Sequence, residues 1–171
     1  MDRKKILTFT DASRKSRPRA FSTMLKPAGS NCNLDCAYCY YLDKADIYDG
    51  RQTVMGDDLL EEYIKQYIKG NSADLVAFNW HGGEPLLAGI DFFRSAMELQ
   101  KKYAAGKRIE NTLQTNGTLI TEEWCALFRD NNFLVGVSID GPDDNHDAYR
   151  RNKGGRPPFG KVVEGCSLLK Q

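Results

Sequence analysis

Three cysteines, Cys32, Cys36 and Cys39, fall within eight residues of the stretch NCNLDCAYCYY, spaced C-x3-C-x2-C. Thiols clustered in this way, with no secretory signal ahead of them, point to metal ligation or catalysis. A structural zinc site closes a tetrahedron with four Cys or His ligands, commonly as two pairs. The remaining cysteines, Cys125 and Cys166, sit in helix-like stretches at positions compatible with the apolar faces, and read as small buried hydrophobes. The two histidines, His81 and His146, form no paired knuckle with the cysteine loop. An iron–sulfur cubane also takes four thiolates as a rule. Held by three, it leaves one iron open to an outside ligand. The spacing favours a cluster over zinc and leaves both open.

A second group follows at residues 81–85, HGGEP. Two glycines let the backbone approach a ligand closely, Pro85 stiffens the turn, and Glu84 holds a carboxylate just beyond. Alone this is an ordinary strand–turn–helix connection. Beside the cysteine loop it becomes a candidate for gripping a positively charged amino group. QTNG (114–117) and SIDGP (138–142) come later, and their Asn-Gly and Gly-Pro pairs are routine turn formers. Ser138 stands out as a hydroxyl on the small-residue face of an apolar strand.

These residues need a frame that brings them to one edge. FSTMLK (21–26) reads as a strand leading into the cysteine loop. DDLLEEYIKQYIK (57–69) places Leu59, Leu60, Tyr63, Ile64, Tyr67 and Ile68 on one helical face, with Asp57 and Asp58 at its start and Gly70-Asn71 as its stop. LVAFNW (75–80), IENTLQT (109–115) and FLVGVSI (133–139) are the next strands, and the last, nearly all apolar, is expected to be buried on both faces. Between them lie a helix at 91–105, opened by Asp91 and closed by Gly106, and another at 121–130, capped by Thr121. A polar loop (140–158) precedes a fourth helix at 160–171.

Strands separated by helices imply βαβ units, hence an α/β fold with a parallel sheet. In LVAFNW, Val76, Phe78 and Trp80 share one face, and Leu75, Ala77 and Asn79 the other. In FLVGVSI, Val135, Val137 and Ile139 oppose Leu134, Gly136 and Ser138. The bulky face suits packing under helices; the other, small or polar toward its C-terminal end, suits a ligand cavity. Four βα units are few for a closed barrel, so an open sheet or partial barrel within something longer is expected.

Composition excludes several classes. With 41% apolar and 27% charged residues and a net charge of +1, the chain reads as soluble and globular, with no global field toward nucleic acid or membrane. No stretch is long enough to span a bilayer or to form a signal-peptide core. Residues 1–20, with seven Lys or Arg against two Asp, read as a basic, mobile tail, and 21–171 as one domain. Five cysteines without a secretory signal point to the cytoplasm, where structural disulfides are disfavoured.

The motif Cys32-x3-Cys36-x2-Cys39 with an aromatic residue before its last cysteine, followed by Gly82-Gly83-Glu84-Pro85, resembles the radical S-adenosylmethionine (SAM) superfamily. The words WHGGEP, LQTNGTLIT, VGVSIDGP and HDAYR, in that order, resemble more narrowly the anaerobic sulfatase-maturating enzymes, from about Phe21 to Gln171. The resemblance implies a parallel (β/α)4 portion of a partial (β/α)6 radical SAM barrel. It implies that Cys32, Cys36 and Cys39 each bind one iron of a [4Fe-4S] cluster, with the amino and carboxylate groups of SAM on the fourth iron. Tyr38 would lie by the adenine, and Gly82, Gly83, Glu84 and Pro85 would hold the methionine amino group. Ser138 and Arg150 would contact the ribose and carboxylate region, and His81 and Gln114 would line the substrate side.

By the same resemblance, one electron from the cluster would cleave SAM to a 5′-deoxyadenosyl radical. That radical would take hydrogen from the β-carbon of a sulfatase cysteine or serine, and loss of a second electron and a proton would give Cα-formylglycine. The partners implied are a sulfatase polypeptide and an electron donor such as flavodoxin or ferredoxin. Full-length members carry further strands and a cysteine-rich SPASM-type C-terminal domain with auxiliary clusters. Those parts, and the acidic base, are therefore expected beyond Gln171. This stretch alone is expected to be inactive, with a bare fourth-strand edge that invites self-association. Two other readings remain: a different SPASM-type peptide modification, or a non-catalytic iron–sulfur or zinc binding module. An electron carrier has no need of a glycine-rich carboxylate loop or a cavity-facing serine.

Overall fold

Four parallel strands carry the site: β1 (Thr23–Leu25), β2 (Leu75–Trp80), β3 (Arg108–Thr115) and β4 (Phe133–Val137). They lie in the spatial order β1-β2-β3-β4. The structure is a computed structural model that describes residues 20–41, 44 and 54–171. The basic tail assigned to residues 1–20 lies, Ala20 apart, outside them. A sheet whose order follows the sequence is a section of barrel wall, whereas a doubly wound sheet reverses its order partway.

The helices are α1 (Asp57–Gly70), α2 (Ile90–Tyr103), α3 (Glu122–Asp130), α4 (Asp143–Tyr149) and α5 (Phe159–Leu168). Helices α1 to α3 cover one face of the sheet, where Val76, Phe78 and Trp80 are fully buried as their alternation requires. Aromatic rings build most of this core: Trp80 meets Phe93 at 5.1 Å between centroids, and Phe93 meets Trp124 at 5.3 Å. Trp80 satisfies its indole N–H on Asn111 Oδ1 at 2.7 Å, and the Asn111 amide pairs with Gln100, so these three buried side chains match one another's polar groups. Thr121 caps α3 by accepting from Trp124 N.

Several expectations are corrected. Leu59 is 60% exposed, because the buried face of α1 runs through Leu60, Ile64, Tyr67 and Ile68 and turns Leu59 outward. Strand β4 is not buried on both faces: it is the sheet edge, its Leu134 is exposed, and Val135 and Val137 are half-buried. The segment 140–158 is not all loop, since α4 lies within it and makes the last helix the fifth among the described residues. Before α2 the chain makes a short 3-10 turn, Pro85–Ala88, and α2 starts at Ile90 after Gly89. Cys125 and Cys166 are half-buried on α3 and α5, not fully buried.

Candidate functional site

Loops from all four strand ends meet at one edge of the sheet. The cysteine loop leaves β1 and is fastened by backbone to the loop after β2. His81 N continues the β-ladder to Leu25 O (2.7 Å), Gly83 N donates to Gly29 O (3.0 Å), and Glu84 N donates to Asn31 O (2.7 Å). A Cβ on Gly83 would overlap Asn31 O and lie 2.5 Å from Ser30 O. At Gly82, where φ is +132°, a Cβ would lie 2.9 Å from Gly29 O. The glycines are thus required by the close approach of the cysteine loop itself.

Glu84 is also placed differently from the expectation that its carboxylate grips an amino group. It is fully buried; Oε1 accepts from Leu86 N (3.1 Å) and Thr115 Oγ1 (2.8 Å), and Oε2 from Asn116 N (2.8 Å). Burial pushes its carboxyl pKa up, against the pull of these three donors. Its work is to tie the β2 loop to the end of β3. Pro85, next along, opens the 3-10 turn, where its missing N–H costs nothing.

The other side of the cysteine loop is held by the segment after α4. Asp35 N donates to Arg151 O (2.7 Å), Ala37 N donates to Tyr149 O (2.8 Å), and Leu34 and Asn152 form an antiparallel bridge. Arg150, between these anchors, is no solvated charge: its side chain is 13% exposed. It forks Asp140, Nε to Oδ2 and Nη2 to Oδ1, both at 2.8 Å. The Tyr38 hydroxyl donates to the same Oδ2, and the guanidinium lies 5.6 Å from the centre of the Tyr38 ring. The hydrogen bond from Arg150 is the main reason the Asp140 carboxyl is held down at about 2, with burial opposing and Tyr38 assisting. Burial, then the bond to Asp140, pushes the Tyr38 phenol up to about 12. Asp140 is a residue that sequence reasoning missed. Its one signal was its position just past a strand C-terminus, where polar residues gather for function.

On the inner face of the sheet, Gln114 lies across Gly136, where a Cβ would collide with its amide, and donates through Nε2 to Ser138 Oγ at 2.9 Å. His81 Nδ1 accepts from Gly82 N at 2.9 Å, and burial, aided by Lys26, lowers its pKa. His81 and Gln114 line a cavity of about 420 Å³ together with Met24, Asn79, Thr112 and Leu134. A larger groove, about 680 Å³, lies elsewhere, between α3, β4 and the end of α5, and holds Cys125.

Cys36 is buried and Cys32 and Cys39 are half-buried. Burial pushes up the thiol pKa of Cys32 and that of Cys36, the latter to about 11, and a bound cation would favour the thiolate state. The Cys32 sulfur accepts from Leu34 N (3.4 Å) and Asn116 Nδ2 (3.7 Å). Among the described residues, no three His, Cys, Asp or Glu side chains converge as a single metal ion would need. A cubane instead takes one thiolate at each of several irons. Three neighbouring thiols on one loop, with N–H donors turned to a sulfur, are a donor set that fits a [4Fe-4S] cluster.

Residues 27–171 match the model of the Radical SAM superfamily. The chain belongs to the radical SAM superfamily. It is similar to the serine-type anaerobic sulfatase-maturating enzyme of Bacteroides thetaiotaomicron, 56% identical over 149 residues, which are 86% of this chain and 36% of that protein. The cysteine-type anaerobic sulfatase-maturating enzyme of Clostridium perfringens (strain 13 / Type A) is 42% identical over 153 residues, 88% of this chain and 41% of that protein. Among solved structures, native anSMEcpe with bound AdoMet and Kp18Cys peptide is similar with a TM-score of 0.81 at 40% identity, covering 90% of this chain and 41% of that one. The four-stranded parallel sheet is therefore a radical SAM architecture. This radical SAM chain spans 36% and 41% of the length of the two curated relatives named.

Proposed function

We propose that the protein containing this radical SAM chain oxidises a serine or cysteine of a sulfatase polypeptide to Cα-formylglycine. The observation that carries this reading is a three-cysteine loop clamped by backbone between Gly83–Glu84 on one side and Tyr149–Arg151 on the other. It offers no fourth thiolate of its own. Cys32, Cys36 and Cys39 would hold a [4Fe-4S] cluster, which together with SAM would supply one-electron cleavage chemistry able to remove an unactivated hydrogen atom.

The residues then divide the work. Tyr38 presents a half-exposed ring for the adenine, and its hydroxyl is held by Asp140. Ser138 and Arg150 serve the ribose and carboxylate region. With the Glu84 side chain buried, the backbone of Gly82–Pro85 is what remains to meet the ammonium group. His81 and Gln114 flank the cavity into which a substrate side chain enters, and Met24 and Leu134 give it apolar walls. Overall, the substrate Cβ and its heteroatom would lose two electrons and two protons, with SAM, cleaved to methionine and 5′-deoxyadenosine, as the two-electron oxidant; for cysteine, water would then replace sulfur, which leaves as hydrogen sulfide.

A one-electron donor such as flavodoxin or ferredoxin is the partner this chemistry requires, and a reducing cytoplasm is the setting that suits the free thiols. Among the described residues the outer edge of β4 is unpaired, and this stretch alone would self-associate there and along the groove beside it. The test uses the whole protein, anaerobic and reduced, with SAM and a sulfatase-derived peptide bearing serine or cysteine. An aldehyde trapped by a hydrazide reagent and located by mass spectrometry is the expected result. SAM cleavage with no aldehyde in either peptide overturns the formylglycine assignment.

A further inference from the structure

A closed ring of hydrogen bonds links the cysteine loop to the loop after β3. Asn116 Nδ2 donates to Asn33 Oδ1 (2.8 Å), Asn33 Nδ2 to Thr118 Oγ1 (2.8 Å), and Thr118 Oγ1 to Asn116 Oδ1 (2.7 Å). The orientation of the Asn116 amide is fixed independently, because Thr118 backbone N–H also points at Oδ1, at 3.0 Å, and can only donate. The atom facing Thr118 is therefore the oxygen, and the NH2 group turns toward the cysteine loop. One of its hydrogens goes to Asn33. The other has Cys32 Sγ as its partner, at 3.7 Å. Asn116 is 7% exposed, so water offers that hydrogen little alternative.

We propose that Asn116 is a positioning residue that donates a hydrogen bond to the Cys32 sulfur and thereby raises the reduction potential of the cluster held by the three cysteines. A donor on a ligand sulfur withdraws electron density and favours the more electron-rich, reduced cluster. Leu34 N contributes a second donor to the same sulfur, at 3.4 Å, but as backbone it survives every substitution except proline. Asn116 N also donates to Glu84 Oε2, so the residue that touches the sulfur is itself anchored to the buried carboxylate. The inference rests on the cluster reading above, and on neither SAM binding nor the identity of the substrate.

The experiment is an EPR-monitored redox titration of the whole protein, reconstituted without oxygen and without SAM. The relevant signal is identified as the one lost in Cys36→Ala. In Asn116→Ala the midpoint shifts to more negative potential, and in Asn116→Asp, where a donor gives way to a negative charge, it shifts further. A midpoint unchanged in both variants at full iron content overturns the proposal. Should either variant lose its cluster, pulsed EPR of the parent grown with 15N-asparagine decides: a nitrogen coupling that changes with the label is expected, and no label-dependent coupling overturns it. A potential shift without any spectral response to SAM would sink the functional reading alone and leave this inference standing.

Discussion

Arg150 and Asp140 meet as a two-bond fork, Nε to Oδ2 and Nη2 to Oδ1 at 2.8 Å each, and the Tyr38 hydroxyl closes on the same carboxylate. The cysteine loop is thus pinned, 102 residues away in sequence, to the segment that runs from the end of β4 to the end of α4. Asp140→Asn leaves a partly buried guanidinium without its counter-charge. The expected cost is about 1–2 kcal/mol, between the values for exposed and buried pairs. If Tyr38 and Arg150 serve SAM as proposed, its affinity should fall about tenfold, since both side chains lose their anchor. Equilibrium binding of SAM to the reconstituted variant checks this, and unchanged affinity contradicts it.

The same carboxylate makes a pH prediction. Its folded value of about 2 lies below its ordinary 3.8, so the stability it confers is complete above 3.8 and is lost as pH falls from there through about 2. The gap in thermal midpoint between the parent and Asp140→Asn, measured without cofactors, should narrow over that window. A gap independent of pH would show that the charge on Asp140 contributes nothing.

Gly83→Ala drives a methyl group into the carbonyls of Ser30 and Asn31, which are backbone and cannot swing aside. Separating the two loops should cost about 1–3 kcal/mol and lower iron loading markedly. Gly160→Ala is the control: it lies on α5 with nothing near its missing Cβ, and should be neutral or stabilising by up to about 1 kcal/mol. Thermal melting and iron content of the two variants make the comparison.

Glu84→Gln keeps one oxygen for Leu86 N and Thr115 but turns an NH2 toward Asn116 N–H. Two donors then face each other in a buried place. A loss of about 1–3 kcal/mol is expected by denaturant titration. A variant as stable as the parent would mean that the carboxylate does not tie these loops together.

The strands were legible because burial on a sheet alternates every second residue, and Val76, Phe78 and Trp80 follow that rule without exception. The caps were legible for a similar local reason, as Thr121 shows. Helix α4 was not, because in DDNHDAY only His146 is buried and a single apolar contact has no period. The exposure of Leu134 depends on what neighbours β4, which its own residues do not encode. In the site, the cysteines and the glycine loop declared themselves by spacing. Asp140 and Asn116 did not: their partners Tyr38 and Cys32 lie 102 and 84 residues away, and Asp-Gly and Asn-Gly look locally like turns.

The central claim is that three cysteines hold a cluster whose remaining iron is open to SAM. The whole protein, reconstituted without oxygen and reduced, is examined by EPR before and after SAM is added, following the signal that Cys32→Ala, Cys36→Ala or Cys39→Ala abolishes. The account predicts that SAM changes the spectrum of that cluster. A cluster signal that is present, lost in the cysteine variants and unaltered by SAM would contradict it.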